Sequence, residues 1–174
     1  GNINNGWLIP GVLSSRVWIK QDNAACETLL TDWAEPMAVL ANVLTGSEYP
    51  ADYLDVAWQW LIKNHPHDSI CGCSIDQVHE DMKFRFSQCK QIGERLTTES
   101  LKTITSHVEG DIGEDELRVG VFNPLAVPVE DVVELTINVP ADWPTFQEFF
   151  GFEAKPAFRI FDAEGNELAY QRLG

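Results

Sequence analysis

The sequence predicts an α+β chain, a three-helix bundle followed by the first strands of a β-sandwich domain. Up to about residue 108, apolar side chains recur at three-four spacing, the period of helices with one buried face. From about residue 116 the period becomes two, the alternation of strands. Between them lies Glu109-Gly110-Asp111-Ile112-Gly113-Glu114-Asp115, an acidic, glycine-bearing link. The expected division is a connection over 1–20, the bundle over 21–109 and the start of the sandwich over 110–174.

The segment from Trp7 to Lys20 contains Pro10-Gly11 and Ser14-Ser15 and reads as a connection. The first helix is expected from Asp22, a good cap, to about Leu44. Its apolar stripe is Leu29/Leu30, Trp33, Met37, Leu40/Ala41 and Leu44. Pro36 lacks an N–H and should kink or split it, and Gly46 should end it.

A second helix follows Pro50, with Leu54, Ala57/Trp58 and Leu61/Ile62 on one face. It stops at Asn64-His65-Pro66, because the residue before proline avoids helical angles.

The third helix opens with Ser74 and Gln77 as a capping box. Its apolar line runs Ile75, Val78, Met82, Phe86, Cys89, Ile92/Gly93, Leu96, Ser100, Ile104, Val108. Ile75 to Val108 spans about 51 Å of helix. That length needs partners, and two antiparallel neighbours supply them. Cys26 and Cys89 fall on apolar faces as small buried thiols. Trp33 and Trp58, at helical spacing, read as core. His79 lies one residue past an apolar position and reads as a surface histidine. Asp76, Glu80 and Asp81 complement the dipole of the first turns, and Arg16 reads as half of an ion pair.

In the second half, Leu117, Val119 and Val121 alternate with Arg118 and Gly120, and Asn123-Pro124 turns the chain. Val133, Leu135, Ile137 and Val139 alternate again. Phe158–Phe161 and Glu167–Tyr170 flank Asp162-Ala163-Glu164-Gly165-Asn166, a hairpin signal. Four strands close neither a sandwich nor a barrel.

The formal net charge is −15, from 27 acidic and 12 basic residues. So acidic a surface repels phosphate backbones and anionic lipid, which sets aside nucleic acid and membrane-surface partners. No apolar run approaches the roughly 20 residues that span a bilayer. The chain opens Gly-Asn-Ile-Asn-Asn without an initiator Met and stops at Arg172-Leu173-Gly174, so both ends read as cut. Its four cysteines lack dense pairing, which leans to a reducing, cytoplasmic compartment.

One stretch carries chemistry: Asn64-His65-Pro66-His67-Asp68-Ser69-Ile70-Cys71-Gly72-Cys73-Ser74. Two histidines, a carboxylate and two thiols precede a helix N-terminus, where a rigid scaffold aims loop side chains. Three readings stand. His67 and Asp68 are loop structure in a plain helical scaffold. Or His65, His67, Cys71 and Cys73 form a local tetrahedral zinc site in a small interaction module, although one-residue gaps are tighter than structural zinc loops use. Or the loop completes a site with residues elsewhere.

The last reading comes with a resemblance. The run His67-Asp68-Ser69-Ile70-Cys71-Gly72-Cys73-Ser74 resembles the middle-domain loop of the zinc-dependent alpha-mannosidases of glycoside hydrolase family 38, in the bacterial type. Leu13–Asn23 and Trp33-Ala34-Glu35-Pro36 are similar to that family's approach to its helical bundle. The likeness covers about residues 8–108 well and the strand half by order only. It implies a fragment of a larger enzyme, in which residues 1–20 lead from a catalytic barrel and the bundle packs on that barrel.

It implies roles for two residues. His67 would be a zinc ligand, joined by ligands from the barrel, and Asp68 would hydrogen-bond hydroxyls of a bound mannose. Pro66 stands where animal members commonly have a histidine, which leaves His65 without a role. The substrate implied is a mannose-containing glycan or mannoside, and the reaction retaining, with two barrel carboxylates about 5–5.5 Å apart. No acid of this chain would be the nucleophile, and the segment alone would be inactive.

Overall fold

The computed structural model describes residues 11–108, 110–147 and 151–173. The expected connection before Gly11 lies outside them. The described residues up to 111 together with 119–129 form one compact unit, and the described residues of 112–118 and 130–173 form another.

The first unit is the helical bundle. Its first helical run has three parts: α1 (Val17–Thr28), a π-helical stretch (Leu29–Ala34) and α2 (Glu35–Thr45). It begins five residues before Asp22, because nothing in Val17–Gln21 opposes a helix. Asp22 therefore lies inside α1, where its Oδ1 accepts from Lys90 Nζ at 2.5 Å. The expected break at Pro36 takes a milder form. Pro36 has no N–H and its ring crowds the carbonyl four residues back. The wider π stretch just before α2 takes up that crowding and the helix continues.

Met37 and Ala41 of the expected stripe are buried, and three-four spacing continues through the π stretch. The buried line is Leu30, Ala34, Met37, Ala38 and Ala41. Leu40 and Leu44, expected in the core, are 37% and 61% exposed. Trp33 is half-buried. Gly46, in the left-handed conformation, closes α2.

Helix α3 (Ala51–Ile62) follows Pro50 as expected and buries Leu54, Ala57 and Leu61. It ends at Asn64-His65-Pro66 with Asn64 N donating to Leu61 O and His65 N to Ile62 O. A single turn, α4 (His67–Ile70), precedes the long α5 (Asp76–Ser106). The expected capping box is absent. Ile75, extended at φ −66° and ψ 157°, is the residue that enters α5, and Gln77 Nε2 donates to Asp81 instead. Ser74 is held by the preceding loop, its N–H donating to Asp68 O.

Helix α5 contacts α1, the π stretch, α2 and α3, so the bundle is built around it. Ile19, Cys26 and Leu30 meet Leu61, Met82, Phe86 and Cys89 in one core, each at most 1% exposed. Cys26 Sγ lies 3.8 Å from Phe86 O, which brings α1 against α5 at that level. Higher along α5, the absence of a side chain at Gly93 lets Leu29 approach: a Cβ there would lie 2.8 Å from Leu29 Cδ2.

The second unit carries two short antiparallel pairs. Strand β3 (Ile160–Phe161) pairs with β4 (Glu167–Leu168), the expected hairpin. Asp162 closes its turn by accepting from Asn166 N at 2.8 Å and Asn166 Nδ2 at 2.9 Å. The other pair, β1 (Thr145–Gln147) with β2 (Ala154–Pro156), has no alternating signature and was not expected. Conversely, Leu117–Val121 and Val133–Val139 join no ladder. Alternation marks a face to be buried, but a strand also needs a neighbouring strand, and among the described residues neither segment is paired into a sheet. Val121 and Val133 remain 67% and 54% exposed.

Candidate functional site

The loop from Asn64 to Ser74 leaves α3, makes the α4 turn and enters α5. Pro66, at φ −47° and ψ 134°, sets α4 off from the chain before it, and its carbonyl accepts from Ser69 N at 2.8 Å and Ile70 N at 3.0 Å. Within α4, Ser69 is buried while the side chains of His67 and Asp68 are 91% and 64% exposed. The turn thus displays the two residues singled out from the sequence side by side. His67 Nε2 lies 3.4 Å from Asp68 Oδ1.

The rest of the loop is tied down by its own backbone. Cys73 N and Ser74 N both donate to Asp68 O at 3.1 Å. Cys73 Sγ lies 3.3 Å from Asp68 Oδ1, and this hydrogen bond is the main cause that pushes the Cys73 thiol up. Gly72 sits at φ +83°, and a Cβ there would meet Ser15 O and Ser15 Oγ at 3.1 Å. The loop therefore needs glycine at this point both for its backbone angle and for its close approach to the start of the first helix.

Arg16 makes that approach specific. Its Nη1 donates to Gly72 O at 2.9 Å and Ser74 O at 3.3 Å, and its Nη2 donates to Asp76 Oδ1 at 2.6 Å. Ser15 Oγ adds a bond to Gly72 O. The ring of His79 lies against the same guanidinium, with Nδ1 3.1 Å from Nη1 and 3.0 Å from Ile75 O. His79 is 3% exposed, so the expectation of a surface histidine is corrected. Its neighbour in sequence predicted exposure, but Arg16 packs over this side of α5.

Four residues were considered for a local zinc site, and the structure does not bring them together. Among the described residues no group of three or more His, Cys, Asp or Glu side chains is placed to hold a metal ion. His65 faces the other way, its Nε2 2.7 Å from Asn23 Oδ1 on α1, and Cys73 is engaged with Asp68. The expected ion pair of Arg16 is present, with Asp76. Its carbonyl contacts and the Asn23–His65 bond carry no sequence signal, because they join positions more than 40 residues apart.

This bundle with its loop has relatives. Residues 8–104 match the family model of the alpha-mannosidase middle domain. The chain belongs to that family. A putative mannosylglycerate hydrolase of Halalkalibacterium halodurans is 39% identical over 105 residues, which are 60% of this chain and 11% of that protein. Two solved structures from Enterococcus faecalis, a protein of glycosyl hydrolase family 38 and an alpha-mannosidase, superpose with TM-scores of 0.53 and 0.54. Each is 44% identical to the middle-domain chain and covers 55% of it, whereas this chain covers 11% of either. The chain thus spans about a tenth of the length of these relatives. No helix among the described residues is long and apolar enough to cross a membrane.

Proposed function

We propose that this middle domain serves a retaining glycoside hydrolase that cleaves α-mannosidic bonds, with His67 as one ligand of a zinc ion and Asp68 as a binder of mannose hydroxyls. The observation that carries the reading is the α4 turn, which presents an imidazole and a carboxylate to solvent from a loop otherwise fixed by backbone bonds. The family of the chain and the names of its relatives supply the reaction class.

The donor set fits zinc in part. An exposed imidazole is a suitable ligand, and one imidazole alone is a weak site, so the remaining ligands must come from other parts of the enzyme. Zinc bound there would supply Lewis acidity and a grip on substrate oxygens. What this chain itself does is hold and orient. The carboxylate of Asp68 steadies the neighbouring imidazole and offers two oxygens to sugar hydroxyls. The partner of this face is the enzyme's own catalytic barrel, with a mannoside or mannose-containing glycan between.

Hydrolysis of an aryl α-mannoside and of mannosylglycerate by the full-length enzyme, alongside its zinc content, tests the reading. His67→Ala should lose zinc and lower turnover by at least the roughly 10–100-fold that loss of an outer-shell metal partner costs. Asp68→Asn should raise KM and weaken zinc binding far less than His67→Ala does. Full turnover and full zinc in His67→Ala would rule out the assignment.

A further inference from the structure

We propose that Arg16 is a positioning residue for the His67–Asp68 turn, which locks the far end of the loop to the start of α1. The inference rests on the reading of that turn as the site. Arg16 has φ 46° and ψ 59°, the sole residue other than glycine with positive φ among the described residues. L-residues avoid this region, so such a conformation persists where surrounding contacts over-determine it. Here the contacts all run to one place. The planar fork of the guanidinium reaches Gly72 O, Ser74 O and Asp76 Oδ1 together.

Those acceptors bracket Cys73, and through it the lock is passed on. Cys73 N and Ser74 N hold the carbonyl of Asp68, and Cys73 Sγ meets its carboxylate. One guanidinium therefore fixes both anchors of the Asp68 backbone, while touching neither Asp68 nor His67. The Asp76 contact contributes little by itself, because that carboxylate is 92% exposed. The two carbonyl bonds are the ones that hold the loop.

The test uses the metal-free full-length enzyme and compares Arg16→Gly, Arg16→Lys and Asp76→Asn. Glycine accepts the backbone angle, so Arg16→Gly removes the fork without adding strain. Hydrogen exchange at Cys73 and Ser74 should quicken in Arg16→Gly by at least about tenfold, the factor that one charge-assisted bond gives, since two such bonds are lost. Exchange over Met82–Cys89 of α5 should stay as it was. Zinc affinity in competition with a chelator should fall by about tenfold, as for loss of an outer-shell partner. Arg16→Lys should recover part of both effects and Asp76→Asn should show neither.

Unchanged exchange at Cys73 and Ser74, or an equal rise along α5, would overturn the role of Arg16. So would unchanged zinc affinity in Arg16→Gly beside a His67→Ala enzyme that has lost zinc. A His67→Ala enzyme with full zinc and turnover would instead overturn the site reading itself, whatever Arg16→Gly does.

Discussion

The thiol of Cys73 meets the carboxylate of Asp68 across 3.3 Å, so Asp68 Oδ1 accepts a hydrogen bond from within its own loop. The hydrogen bond to Asp68 is the first cause that raises Cys73 above the ordinary thiol range, followed by desolvation and the carboxylate's charge. A raised thiol binds its proton more tightly when folded. The bond's contribution is therefore complete below the ordinary thiol value and is lost as pH rises through the folded one. Alkylation of Cys73 by iodoacetamide, followed by mass spectrometry, should show its midpoint at higher pH than in the unfolded chain. Asp68→Asn should bring the midpoint down. A midpoint indifferent to Asp68→Asn would show that the pair does not form in solution.

The ion pair between Lys90 and Asp22 gives a second pH signature, away from the loop. The bond to Asp22 raises Lys90, against the opposing effect of burial. The two side chains are 33% and 32% exposed, so screening limits the contribution of the pair to about 1 kcal/mol or less. A lysine raised on folding stabilises fully below its unfolded value and loses that effect as pH rises through the folded value. The urea midpoint of Lys90→Met should thus lie below that of the unmodified protein by a constant gap at neutral pH. The gap should narrow only above the ordinary lysine range. A gap that widens there would contradict the sign.

What was legible in the sequence follows from what each signal encodes. Three-four spacing encodes the buried face of a helix, and α3 and α5 bury Leu54, Ala57, Leu61, Met82, Phe86 and Cys89 as that spacing requires. The same rule holds for Met37 and Ala41 beyond the π stretch, whereas Leu40 and Leu44 lie off the buried face. Motif and resemblance picked out His67 and Asp68, which the α4 turn displays together. The setting of Arg16 and His79 was not legible, since it depends on which helix lies opposite. Alternation at Val133–Val139 encodes a face and says nothing of a pairing partner, whereas the Asp162–Asn166 turn encodes both strands of β3 and β4 at once.

The close approach of Leu29 to Gly93 supplies the last prediction. Alanine at position 93 would gain about 1 kcal/mol of helix propensity over glycine. Its Cβ would, however, lie 2.8 Å from Leu29 Cδ2, 2.9 Å from Leu29 Cγ and 3.3 Å from Leu30 Cδ2. Leu29 Cγ is the branch point and not a free end, so the side chain has to turn or α5 has to move away from the π stretch. Overpacking of this kind costs about 1–3 kcal/mol, which exceeds the propensity gain. Gly93→Ala should therefore lower stability by roughly 1 kcal/mol in urea denaturation. With Leu29→Ala in place the two closest contacts are gone and only Leu30 Cδ2 at 3.3 Å remains, so the same substitution should become neutral or stabilising by up to about 1 kcal/mol. An equal loss in both backgrounds would show that Gly93 is needed for a reason other than its contact with Leu29.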